Sequence, residues 1–305
     1  MRKLPKISVI VPTYNRKEEL NRLLLSMKKQ SYQPGQIIIV DASELEGCIQ
    51  LERCNLIKSK KGAVTQRNIG LRHAQEEIVL FLDDDAVLTP CCLELIAREF
   101  EADISNEIGA ITGRIITYNN IKKKSLSLAR AFGLGESRGD GSLKLSGFPS
   151  LACGENDKEV DVLCGGIMAF RRSVIEKLGG FDEKLEKISR YSYMEDQDIA
   201  IRIKKAGFKI KYIANVRIYH FPSTRGRDSS FKVEATKVFN SRYILRKHFK
   251  WNILREIAWL WAIFGMIIGQ IISLNFKGLS GLFSGLVKVI APEIKCEFSF
   301  KDLKG

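Results

Sequence analysis

The chain is poor in the residues that build metal cages and disulfide scaffolds. It has three histidines in 305 residues, His73, His220 and His248, all far apart. Its seven cysteines, Cys48, Cys54, Cys91, Cys92, Cys153, Cys164 and Cys296, are odd in number and never spaced C-x-x-C. Those shortages exclude a zinc finger and a disulfide framework, and they read as reduced thiols in a cytosolic setting. A targeting leader is not expected either. The start is basic, but the apolar run at 7–11 is too short for a signal core and stops at Pro12. Acidic residues are in deficit: 35 Asp and Glu face 49 Lys and Arg, a formal charge of +14. Such a balance suits an anionic partner, whether an acidic membrane leaflet, a phosphorylated substrate or nucleic acid. No homeodomain, zinc-finger or RNA-binding signature accompanies the charge, so nucleic acid is not the expected partner.

What is present is a globular composition, 45% hydrophobic and 28% charged, enough to fill a core. Short β-branched runs at 7–11, 36–40 and 78–82 read as buried parallel strands. Between them, 16–30 and 63–75 read as helices, and 90–100 as a helix opened by Pro90. Residues 108–117 read as extended, 119–158 as a variable loop region, 160–163 and 168–170 as strands, and 173–178 as a helix stopped by Gly179-Gly180. A helix at 196–206 and a strand at 208–213 follow. Strand and helix alternate, which predicts an α/β fold with a mostly parallel sheet flanked by helices.

Two of the strands end in acids. Asp41 follows IIIV, and Asp83-Asp84-Asp85 follow IVLFL. In an open α/β sheet the carboxyl ends of the strands are where ligands sit. Like charges packed together there repel, and the repulsion grows as the dielectric falls. A divalent cation offsets it. Asp83 and Asp85 form a D-x-D pair, and alternate side chains of an extended turn point the same way. Hard oxygen ligands beside a phosphate suit Mg2+ or Mn2+. Asp41 is placed to accept hydrogen bonds from a base or ribose. A solvated, capping turn would also accommodate three acids. Arg67, in GAVTQRNIG, offers a planar clamp for a diphosphate or simply an exposed helix arginine.

A second acidic group, Glu195, Asp196 and Asp198, crowds a helix start in YSYMEDQDIAIR. The helix dipole favours acids there, and Asp198 and Arg202 have i,i+4 spacing for a local ion pair. The catalytic reading is a general base aimed at an acceptor hydroxyl, its pKa shifted by a neighbouring acid. Gly165-Gly166 leaves a loop without side chains where a sugar ring can approach backbone. His220, after a strand in RIYHFPS, is a structural histidine or a third metal ligand.

Taken in order, these pieces resemble the family 2 glycosyltransferases with the GT-A fold: VIVPTYNR at 9–16, Asp41 after IIIV, Q-R-N-x-G at 66–70, D-x-D at 83–85, G-G at 165–166 before MAFRRS, G-G-F-D at 179–182 and E-D-x-D at 195–198. The likeness spans roughly the first 225 residues. It implies a Rossmann-like, mostly parallel sheet flanked by helices, in a domain over 1–225. It implies that Thr13 and Asp41 hold the nucleotide base, Arg67 the diphosphate and Asp83 the ribose side, that Pro12, Tyr14 and Asp84 also bind the nucleotide sugar, and that Gly165 and Gly166 lie against the sugar. Asp85 and His220 would bind Mn2+ or Mg2+. Asp196 would be the base, assisted by Glu195 and Asp198. The implied reaction is an inverting, hexosyltransferase-type transfer from a nucleotide-diphosphate sugar to a glycan or polyprenyl-linked hydroxyl, in polysaccharide or glycoconjugate synthesis. Asp41-Ala42-Ser43 and Ile167 depart from the usual pattern, and Ile167 bears on donor choice.

Residues 226–305 differ from the rest and read as a basic, apolar α-helical tail that associates with a membrane. Residues 257–274 carry no charge over 18 positions, follow Arg242, Arg246, Lys247, Lys250 and Arg255, and precede Lys277. That is near the ~20 apolar residues of a membrane span, and it also suits a basic amphipathic anchor at a cytoplasmic membrane face. A buried helical subdomain is the alternative. At the level of function, a nucleotidyltransferase would share the sheet and acids but release pyrophosphate. A non-catalytic sugar or lipid-phosphate binding module at a membrane would not turn over.

Overall fold

The computed structural model describes residues 3–43, 54–117, 131–132, 134, 139–190, 193–222 and 228–290. Part of the expected variable loop, and Cys48 and Cys296, lie outside them. The strands are β1 Ile7–Thr13, β2 Gln36–Asp41, β3 Cys54–Lys58, β4 Ile78–Leu82, β5 Ala86–Leu88, β6 Ile108–Thr117, β7 Lys158–Val160, β8 Ile167–Arg171 and β9 Lys209–His220. The helices are α1 Lys17–Lys28, α2 Ala63–His73, α3 Cys92–Ala102, α4 Arg172–Lys177, α5 Glu195–Lys205, α6 Ser230–His248, α7 Ile253–Ile272 and α8 Phe276–Ile290.

All nine strands form one sheet in the order β3-β2-β1-β4-β8-β6-β9-β5, with β7 also on β9. β3, β2, β1 and β4 are mutually parallel. β8 is antiparallel to both β4 and β6, and β6 is parallel to β9. The parallel core expected from the apolar runs is therefore present, interrupted by one reversed strand. Every residue of β4 is buried, as a strand covered on both faces requires. One apolar cluster packs α1 and α3 on one face, and a second packs α2, α4 and α5 on the other. In α1, Leu20, Leu23, Leu24 and Met27 bury one helical stripe, each contributing roughly 1.5–3 kcal/mol.

The directions decide what meets at the sheet's edge. β1, β2 and β4 run the same way, so Thr13, Asp41 and Asp83 arrive at one edge; Thr13 pairs with Asp41 in the ladder. β8 runs oppositely, with Ile167 opposite Leu82, so its amino end and the preceding Gly165-Gly166 reach that edge too. β9 again points toward it. β5 folds back on β9, placing Ala86 opposite His220, and the Phe221 N–H donates to the Asp85 carbonyl at 3.1 Å.

Beyond β9, α6 lies against both the sheet domain and the α7–α8 pair. Ile244 joins Leu185, Met194 and Ile201 in a cluster on the domain side. Val238 and Leu245 join Trp259, Ala262, Ile263 and Leu282 on the other. Gly281 and Gly285 permit a close crossing: a Cβ on either would meet a carbonyl oxygen of α6, Phe231 at 2.3 Å and Ala235 at 2.8 Å. α7 has 20 residues and is apolar and long enough to cross a membrane. Its inner face is packed, while Ile257, Leu260, Trp261 and Phe264 are each about half exposed or more.

Candidate active site

Along the carboxyl edge runs a cleft of about 300 Å³ lined by Pro12, Thr13, Tyr14, Arg67, Asp83, Asp84, Asp85, Gly165, Glu195 and Asp196. Five separate stretches of sequence, 12–14, 67, 83–85, 165 and 195–196, thus converge as the strand directions require. Arg16, Lys61, Gln66, Arg190, Tyr193, Met194 and Gln197 also line it and were not singled out from sequence. Arg16 and Gln66 sit inside the VIVPTYNR and Q-R-N stretches, so a signal for them existed. Gln66 is a tie: its amide donates to the carbonyls of Thr13 at 2.9 Å and Val40 at 2.7 Å, locking the ends of β1 and β2 together.

The three consecutive acids divide their work. Asp84 is turned inward, accepting from Thr13 Oγ1 at 2.8 Å and Arg16 Nη1 at 2.9 Å. Burial pushes its pKa up to about 6 against the pull of Arg16 and Thr13. It braces β1 against the β4 end while still lining the cleft. Asp83 and Asp85 alternate with it, as a D-x-D turn should. Their carboxylate oxygens and a ring nitrogen of His220 lie within 4.8 Å of one another. His220 Nε2 stands 2.9 Å from Asp85 Oδ1. Burial raises the Asp83 pKa, with Asp85 and Glu195 adding to it and Arg67 and His220 opposing. Two hard oxygens and one imidazole nitrogen fit Mn2+ or Mg2+ with coordination positions left for phosphate oxygens.

Arg67 is buried, donating to Glu195 Oε1 at 2.6 Å and Asp83 Oδ1 at 3.1 Å. It therefore joins the acid turn to the helix of the second acidic group, rather than standing open as a clamp. Glu195 is its partner and is buried. Asp196 is different. It is half-buried and faces the cleft, its Oδ2 accepting from the Gly165 N–H at 3.0 Å and its Oδ1 from the Gln197 N–H at 2.9 Å. Burial and the neighbouring Glu195 hold its pKa well above the usual aspartate range, against Arg67 and those two backbone donors.

Asp198 does not join this group. Its side chain is fully buried on the far face of α5, paired with Arg202 at 2.8 Å, Lys247 at 2.6 Å and His248 at 2.7 Å. Burial alone would raise its pKa, but His248, Arg202 and Lys247 bring it down to about 2. The expectation of a catalytic Asp198 is corrected to an anchor between α5 and α6; the i,i+4 pair with Arg202 is as the spacing implied. Asp41 is likewise held outside the cleft lining, by Lys58 Nζ at 2.8 Å and the Ser43 N–H at 2.8 Å. These bonds lower its pKa although burial opposes them.

The glycine pair explains the juxtaposition. A Cβ on Gly165 would lie 3.5 Å from Asp196 Oδ2, and one on Gly166 would lie 3.7 Å from Asp83 Oδ2 and 2.8 Å from Ile115. Two residues without side chains thus separate the acid of the strand turn from the acid of the helix. A mixed sheet flanked by helices, with acids from a strand turn and from a helix start in one cleft, is the arrangement expected of a GT-A glycosyltransferase. The chain belongs to glycosyl transferase family 2: that family's pattern matches residues 8–179, and the N-terminal domain of galactosyltransferase matches residues 155–224. The O-antigen chain rhamnosyltransferase WbaN of Salmonella anatum is 28% identical over 252 residues, 78% of this chain and 73% of its own. The glucosyl-dolichyl phosphate glucuronosyltransferase of Haloferax volcanii is 25% identical over 70% of this chain and 69% of its own. The mannosyltransferase PcManGT from Pyrobaculum calidifontis, solved with GDP-Man and Mn2+, superposes with a TM-score of 0.60 at 17% identity, covering 95% of this chain and 88% of that one.

Proposed function

We propose that this enzyme moves a sugar, with inversion, from a nucleotide-diphosphate donor to a hydroxyl of a lipid-linked glycan, using a divalent cation. One observation carries the reading: Asp196 lies against Gly165 and Asp83 against Gly166, so an acid from the strand turn and an acid from the helix start meet one two-residue backbone step where a donor phosphate and an acceptor hydroxyl can be brought to one sugar. Asp83, Asp85 and His220 would hold Mn2+ or Mg2+, which supplies Lewis-acid stabilisation of the departing diphosphate. Asp196 takes the proton of the incoming hydroxyl. The backbone donors of Gly165 and Gln197 fix its carboxylate, and its raised pKa makes it a stronger base than a solvated aspartate. Attack from the face opposite the leaving group inverts the anomeric carbon. The name of the O-antigen relative supports a glycan acceptor, and that of the dolichyl-phosphate relative supports an acceptor on a lipid carrier.

The α7–α8 pair would lie on the cytoplasmic membrane surface rather than cross it. Its inner face is fastened to α6, with the Trp259 indole donating to Ser241 Oγ at 2.9 Å and Arg242 paired with Glu256 at 2.6 Å. The opposite face presents half-exposed Trp261 and Phe264, with Lys250, Arg255 and Lys277 near the helix ends. Apolar area combined with flanking cations favours an anionic leaflet.

A thermal-shift panel of nucleotide sugars with and without Mn2+, followed by product analysis, tests the reaction. The expected result is a Mn2+-dependent shift for one nucleoside series, abolished in Asp85→Asn, and release of a nucleoside diphosphate. Release of pyrophosphate would identify a nucleotidyltransferase, and binding without turnover in the presence of lipid-linked glycan acceptors would leave only a binding module.

A further inference from the structure

The helix that carries Asp196 is held from outside the sheet domain. Asn240, at the middle of α6 and fully buried, donates through Nδ2 to two carbonyls, Leu185 at 2.9 Å and Tyr193 at 2.8 Å. Tyr193 is followed by Met194, a buried non-glycine residue at φ 72°, and then by Glu195 and Asp196. A left-handed φ at a side-chain-bearing residue is sparsely populated and persists only where its surroundings hold it. Ile244, one turn after Asn240, packs on Met194 in the same apolar cluster. One turn further, Lys247 and His248 hold Asp198 from below. Tyr243 and Lys247 also reach Asp182, at 2.8 and 2.7 Å. Positions 240, 243, 244, 247 and 248 share one helical face.

We propose that α6 is the positioning element of the active site. Asn240 is a positioning residue that fixes the strained Tyr193–Met194 step from which Asp196 enters the cleft. The catalytic part of this inference rests on the reading of Asp196 as the base; the mechanical part does not. The hydrogen bonds of this face go to Leu185, Tyr193, Asp182 and Asp198, not to the strand-turn acids, so donor binding should be spared.

The test compares Asn240→Leu, which keeps the branched side-chain skeleton but removes both N–H donors, with Ser241→Ala. Ser241, about 100° around α6 from Asn240, accepts from the Trp259 indole rather than touching the Tyr193–Met194 step, and so controls for general loosening. Turnover of the nucleotide sugar selected in the panel is measured together with amide exchange by mass spectrometry. N240L should lower kcat at least tenfold, keep donor KM within twofold, and speed exchange over 193–199 well beyond S241A. Equal kcat and equal exchange in the two variants overturn the proposal, as does a kcat loss without local exchange. If the wild-type protein turns over no nucleotide sugar, the base assignment falls, and exchange over 193–199 still decides whether Asn240 fixes the step. Should N240L not fold, Asn240→Ser is read in its place.

Discussion

Replacing Asp196 by Asn removes a proton acceptor and leaves the shape. The loss expected is that of a general base, about 10²–10⁴-fold in kcat, or about 3–5 kcal/mol of transition-state stabilisation at 1.36 kcal/mol per tenfold. The structure also fixes what should not change. The Asn oxygen can keep one of the two backbone donors, Gln197 N–H or Gly165 N–H, while the new amide faces the other. That mismatch costs about 1 kcal/mol. It is opposed by relief of the repulsion between Asp196 and Glu195, which together with burial raises the Asp196 pKa. Net stability should therefore move by less than about 1 kcal/mol, and donor affinity, set by the strand-turn acids, should be retained. The assay is nucleoside diphosphate release at saturating donor and acceptor, beside a denaturant midpoint. Wild-type turnover in a folded D196N protein would refute the base assignment; a collapse in donor binding would refute the division of the cleft into a donor side and an acceptor side.

Further outcomes follow from the same geometry. The base works only when ionised, and its pKa is raised, so kcat should rise with pH along a limb well above the ordinary aspartate value of 3.8; a kcat flat down to pH 4 would contradict it. Asp198 has the opposite sign. Its folded pKa of about 2 lies below 3.8, so it contributes stability above pH ~4 that disappears as pH falls toward 2, on the order of 2 kcal/mol. Asp198→Asn should lose at least that at pH 7, and the gap to wild type in urea midpoints should narrow at pH 3; a constant gap would sink the argument. Phe264→Asp and Trp261→Asp should reduce co-sedimentation with anionic vesicles while nucleoside diphosphate release in solution stays unchanged, and undiminished vesicle binding would place the membrane contact elsewhere.

The sheet domain was legible because its signals are local. Uninterrupted apolar runs marked β1, β2 and β4, and the acids just after them marked the edge where the cleft lies. The short partners β3, β5 and β7 carry no such run; they exist because a neighbouring strand needs pairing, which a local window does not register. Helix α6 falls within the helical tail expected over 226–305, but its bounds and its docking on the sheet domain were not legible, since its buried Asn240, Ser241 and Thr236 break the apolar stripe. Asp198 was misread although the information was present. Successive residues of an α-helix turn by about 100°, so Asp196 and Asp198 are separated by about 200° and cannot face one cleft. The inward turn of Asp84 toward Thr13 and Arg16 follows the same kind of parity in an extended turn. Arg67, by contrast, could not be placed from sequence, because its two carboxylate partners come from elements 16 and 128 residues away.

The way the sheet ends has a consequence for assembly. At one margin β9 is 12 residues long, but β7 takes Ile210–Tyr212 and β5 takes Ile218–His220, with the bulged stretch of 214–216 between them. At the other margin, among the described residues, stands β3, five residues long and ending in Lys58. Long flat margins recruit strands from other chains, whereas short, bulged and charged ones resist it. This enzyme is therefore poorly suited to growing by strand addition, and any neighbour it acquires must be recognised through side chains and shape, not through backbone ladders.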